Sequence, residues 1–248
     1  MKHLILAMTM ALGLGVTGMA HSVGIAGSAH DFTDNVKGSV GGGAGVAFDE
    51  SWNGRKEICR VCHVPHDHGR TTQRYLNGLL WNHTVSSATY SMYDNAWSAT
   101  VTGAQSAQPD GPSKLCLGCH DGTVAIDTFD KYAGGAILFD GVSYDAGYKM
   151  TNFTDGGNLD LRGTHPISIA IPTGEAGDGK NFNDPAVATW FSGDTVASTL
   201  HNEGKMHCST CHDVHNQESV PNTHLLRQAQ TVAQGGTASG LCLTCHIK

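Results

Sequence analysis

The 248-residue sequence is poor in what an ordinary globular core is made of. Hydrophobic residues are 40% of it, aromatics only 7%, and 32 positions are glycine. Little bulky apolar surface is therefore set against a large entropic cost of ordering the chain. Something other than leucine and valine should fill the centre. Positive charge is scarce too: 15 Lys and Arg against 22 Asp and Glu give −7 with histidine neutral. That argues against nucleic acid as a partner, because phosphate binding needs basic patches. Long apolar runs are missing except at the start, where "MKH" precedes "LILAMTMALGLGVTG" and "GMA" precedes His21. This pattern predicts an export leader over residues 1–20, with a cut after Ala29 as the alternative. The run is too short, and wrongly flanked, for a membrane span. Losing the leader removes Lys2 and no acid, which leaves 14 basic against 22 acidic side chains, or −8. No cysteine lies near either cut, so no lipid anchor is expected, and the mature chain is expected to be soluble and secreted.

Spare cysteine is the last thing missing. The eight cysteines fall into four pairs: Cys59 and Cys62, Cys116 and Cys119, Cys208 and Cys211, Cys242 and Cys245. They read "CRVCH", "CLGCH", "CSTCH" and "CLTCH", so His63, His120, His212 and His246 each follow a second cysteine directly. C-x-x-C-H is the pattern of covalent c-type haem attachment. Two thiols two residues apart can reach the two vinyl groups on one edge of a haem, and the adjoining histidine meets the iron as proximal ligand. Disulfides are the ordinary use of cysteine in an oxidising compartment. Structural zinc would combine the pairs into four-ligand sites. Neither explains a histidine after all four pairs. Four haems, with Fe, are expected, and they would supply the missing apolar interior. The fold class that follows is mostly irregular coil with short α-helices around the haems.

The motifs alternate in kind. "CRVCHVPH" and "CSTCHDVH" share C-x-x-C-H-x-x-H, whereas "SKLCLGCH" and "SGLCLTCH" share S-x-L-C-L-x-C-H. This predicts a duplicated two-haem unit, with the units near 30–130 and 160–248. A signal over 1–20 and an arm over 21–58 precede a tetrahaem domain over 59–248. Between the units, "AILFDGVSYDAGYKMTNFTDGGNLDLRG" reads as turns with a short hairpin.

Four irons need sixth ligands. His66 and His215 stand three residues after His63 and His212. On a helical turn such pairs point in similar but not identical directions, so each is placed to reach the iron of an adjacent haem. His83 in "GLLWNHT", His165 in "RGTHPIS" and His30 in "GSAHDFT" complete the candidate set. Pro166 biases His165 towards extended backbone. His201 and His224 are weaker candidates. His207 abuts Cys208, and His21 and His68 read as solvent-facing. A methionine ligand would raise the potential, but Met92, Met150 and Met206 compete with abundant histidine.

At "AHDFT", "EICRVCHVPH", "LLWNHT", "SKLCLGCHDGTVAID", "THPISI", "CSTCHDVHN" and "GLCLTCH" the chain resembles the multihaem c-type cytochromes with doubled C-x-x-C-H motifs. It is most similar to the tetrahaem outer-surface cytochromes of metal-reducing bacteria that polymerise into extracellular nanowires. The resemblance spans about residues 28–248. It implies bis-histidine ligation, a stacked haem chain, little secondary structure, and in filament-forming members one distal histidine donated by a neighbouring copy. Electron transport follows, with redox donor and acceptor proteins, minerals or electrodes as partners and a head-to-tail homopolymer as the assembly. His30, on the arm with "KGSVGGGAG", is the expected bridge, and the haem of His246, near the end of the chain, the expected exposed edge. Two other readings stand beside it. A monomeric periplasmic shuttle needs no bridge. A multihaem reductase needs an iron with an open sixth position, which five distal candidates for four irons disfavour.

Overall fold

The computed structural model describes residues 24–28, 30–32, 57–64, 80–94, 96, 101, 103–124, 126, 128–129, 159–171, 181–201 and 204–247. His66, His68, His21 and most of the expected inter-unit turns lie outside these residues. Regular structure is short. Helix α1 spans Gly111–His120, α2 spans Cys208–Cys211 and α3 spans Gly240–Cys245, with 3-10 turns at Cys59–Val61, Val196–Thr199 and Val232–Gln234. Strands β1 (Ile169–Ala170) and β2 (Lys205–Met206) pair antiparallel, with Ile169 opposite Met206 and Ala170 opposite Lys205. Among the described residues no helix is long and apolar enough to cross a membrane.

Local chemistry accounts for the helix limits. Pro112 in the first turn of α1 gives up an N–H that has no helical partner there. Gly111 before it has a φ of +47°, which glycine adopts without a Cβ penalty. α2 starts where the His207 N–H donates to Thr210 Oγ1 at 3.0 Å. It ends at Cys211, since His212 is already extended, with φ −112° and ψ 128°. His212 and His215 therefore do not share a helical turn. This corrects the expected geometry: the chain leaves the helix before the motif histidine.

The first kind of motif is followed in both units by the same pairing. The Asn82 N–H donates to the Cys62 carbonyl (2.8 Å) and the Val64 N–H to the Leu80 carbonyl (2.9 Å). In the second unit the Arg227 N–H donates to Cys211 (2.9 Å) and the Asp213 N–H to Leu225 (2.8 Å). Leu80 and Leu225, at φ of 50° and 58°, take the same left-handed conformation. The shared pairing thus extends beyond the cysteines to "LWN" and "LLR", with Val64 equivalent to Asp213 and His83 to Gln228.

The units interlock. Tyr90, Leu117 and Leu161 form a buried cluster with Ala88, Met92, Leu159 and Ile167 against it, so α1 is packed by chain from the start of the second unit. Leu117 and Leu161 are 1% and 2% exposed, and burying such side chains is worth about 1.5–3 kcal/mol each. α1 also packs on α2. Across that seam Lys205 Nζ reaches Asp110 Oδ2 at 2.9 Å.

Candidate functional site

Each C-x-x-C pair lies on or against helical backbone, where a spacing of three sets both sulfurs on one side. All eight thiols are free, and Cys59 and Cys242 are exposed. The thiols of Cys116 on α1 and Cys208 on α2 are close enough to influence each other's ionisation, which brings the second and third motifs together. Among the described residues no three His, Cys, Asp or Glu side chains form a group that could hold a metal by themselves.

The histidines are arranged in pairs. His63 faces His215 with ring centroids 6.3 Å apart. His120 faces His30 at 6.2 Å. His246 faces His165 at 6.3 Å. In each pair one member follows a C-x-x-C and the other belongs to the distal candidates. A metal–imidazole bond is roughly 2.0 Å and the ring centroid lies about 1.1 Å behind its nitrogen, so two imidazoles sharing one metal in line stand about 6.2 Å apart. The three separations fit an iron held between two imidazoles. His201 and His207 are also 6.1 Å apart, but neither follows a cysteine pair. Spacing counts here only where it joins a motif histidine to a second one.

Hydrogen bonds set the tautomers. A carbonyl only accepts, so a ring nitrogen against one must carry the proton. His165 Nδ1 donates to the Pro166 carbonyl at 3.0 Å, and His212 Nδ1 to the His224 carbonyl at 2.8 Å. Pinning Nδ1 in this way leaves Nε2 with its lone pair and fixes the ring, the usual outer support of a metal-bound histidine. Burial also pushes the pKa of His30 down and that of His120 to about 4, with the nearby histidines adding to the depression. Both rings are neutral at neutral pH, the form that ligates.

The remaining candidates are placed as follows. His212 carries no facing imidazole among the described residues, and His66 lies outside them. His83 is fully buried beside Cys119, with Nδ1 donating to Thr84 O at 2.8 Å and Nε2 3.2 Å from Ile126 O and 3.4 Å from the Cys119 sulfur. His30 lies near the segment in which Gly24 and Asn216 exchange hydrogen bonds of 3.1 and 2.9 Å. His207 is buried against Ser113, His201 is exposed, and the His224 ring is exposed while its carbonyl serves His212.

Two aspartates escaped the sequence reading. Asp121 and Asp213 each follow a motif histidine, and the shared "CHD" was the signal. Both are buried, and both gather hydrogen bonds: Asp121 from Tyr90, at 2.5 Å, and from Thr123. The chain matches no protein-family model and no curated protein.

Proposed function

We propose that this protein carries electrons through four covalently attached c-type haems with histidine on both faces of the iron. The observation that carries the reading is the facing of His63, His120 and His246 by His215, His30 and His165 at 6.2–6.3 Å. Cys59, Cys62, Cys116, Cys119, Cys208, Cys211, Cys242 and Cys245 would hold the haems. Each haem, when bound, supplies a one-electron iron couple. The chain supplies the imidazoles, of which His165 and His212 are pinned at Nδ1. Two imidazoles give a lower potential than a methionine ligand would. Where both faces of an iron are taken there is no open position for a substrate, so the three paired histidines favour a carrier over a reductase. The fourth motif histidine, His212, is left to His66 or to a histidine of a second copy, since both ring nitrogens of His83 are turned to carbonyls of Thr84 and Ile126.

The assembly proposed from the resemblance is a secreted head-to-tail filament passing electrons to extracellular acceptors. A monomeric shuttle is the second reading, and one observation favours it: His30, the expected bridge, faces His120 of the same chain. The filament then depends on the iron of His212. Carbon monoxide added to the reduced, haem-loaded protein tests the ligation. Little spectral change is expected, and ready binding would overturn it. Particle size and electron microscopy of the secreted protein separate filament from shuttle.

A further inference from the structure

Asp213 follows His212 directly, yet ligation gives it no task. Its side chain is almost completely buried. Oδ1 accepts from the His215 N–H at 3.1 Å, and Oδ2 from the N–H groups of Gln217 (2.6 Å) and Glu218 (2.7 Å). Three backbone donors converge on one carboxylate, in charge-assisted bonds stronger than neutral ones. Its own N–H is tied to the Leu225 carbonyl, and Arg227 stands 3.9 Å from Oδ1. The loop over 213–218 is thereby held in one shape at both base and tip.

That loop serves two distal histidines. It carries His215, whose ring faces His63. Its Asn216 grips Gly24 through Nδ2 (2.9 Å) and through the backbone carbonyl (3.1 Å), and Val214 lies close to the His30 ring. His30, so held, faces His120. Val64, the equivalent of Asp213 in the first unit, has no carboxylate, so the arrangement is not a general property of the repeat.

We infer that Asp213 is the positioning residue for both distal histidines of the first unit, although it belongs to the second. The inference rests on His215 and His30 being axial ligands. Its consequence is non-local. Removing the carboxylate should open the irons of His63 and His120, yet spare that of His212, the adjacent residue, whose ring is held by the His224 carbonyl.

The test is Asp213→Ala in the secreted, haem-loaded protein, with four haems confirmed by mass. Two of the four irons should turn high-spin and bind carbon monoxide, and added imidazole should restore the low-spin spectrum. In a His215→Ala background the same change should open only one further iron. Asn216→Ala, which removes the Nδ2 bond to Gly24 and the acceptor of Ser219 but leaves the Asp213 carboxylate and its three donors in place, should open one iron and leave that of His63 six-coordinate. Should Asp213→Ala fail to be exported, Asp213→Asn and Asn216→Ala are read in its place, the first expected to open a fraction of two irons. Four low-spin irons in Asp213→Ala or Asp213→Asn overturn the inference, as does an opened iron at His212 or His246. A parent protein that is itself high-spin would overturn the axial-ligand reading beneath it, and the parent spectrum separates that failure from the failure of Asp213.

Discussion

Gly118→Ala sets two effects of opposite sign against each other. Gly118 is buried inside α1, between the cysteines of the second motif. By helix propensity alone, alanine should stabilise the protein by about 0.8–1 kcal/mol. A Cβ there would lie 2.7 Å from the Thr84 carbonyl oxygen and 3.5 Å from His83 Nδ1. Ordinary carbon–oxygen contact begins near 3.3 Å, so Thr84 or the helix must give way by about 0.6 Å. Neither is free to do so. The Thr84 oxygen accepts from His83 at 2.8 Å, and the Thr84 N–H donates to Thr128 at 2.9 Å. The Asn82 N–H beside them is bound to Cys62. Overpacking of this kind costs about 1–3 kcal/mol. The clash should win, leaving a net destabilisation of about 1 kcal/mol, with Gly118→Val worse. Denaturant unfolding of the haem-loaded protein, followed by far-ultraviolet circular dichroism, measures it. A midpoint raised by the alanine would refute the close approach of His83 and Thr84 to α1.

Further expectations follow from the same contacts. Imidazole planes are nearly parallel in the His63 and His215 pair (26°) but steeply crossed for His30 with His120 (75°) and His165 with His246 (66°). Crossed planes leave the iron π orbitals nearly degenerate and parallel planes split them, so the low-spin resonance of the oxidised protein should contain two classes of iron; a single class would contradict the pairing. Burial lowers the pKa of His207 to about 4, with Asp110 opposing and His201 and Lys205 assisting. The folded state therefore keeps this ring neutral while the unfolded chain protonates near pH 6.5. Its contribution is complete above that pH and is lost as pH falls towards about 4, at a cost of up to about 3 kcal/mol. His207→Gln should flatten that slope in acid-unfolding curves. Tyr90→Phe removes a 2.5 Å hydrogen bond to buried Asp121 and should destabilise by about 1.5–3 kcal/mol, read as a lowered unfolding midpoint.

How much could be read in advance follows from the range of each interaction. C-x-x-C-H places two sulfurs and a nitrogen within five residues, so "CRVCH" and its three counterparts declare their chemistry without a fold. The alternation of motif kinds declares the duplication for the same reason. Distal partners were legible as a set and not as pairs. His215 and His63 are 152 positions apart, and nothing local says which iron a histidine will meet. Only the tertiary structure brings those rings to 6.3 Å. Tertiary structure also decided that α2 ends before His212 and that Asp213 gathers three backbone N–H groups. Each depends on hydrogen bonds closed by a loop or a distant segment, whereas the cysteine spacing is a property of a single turn.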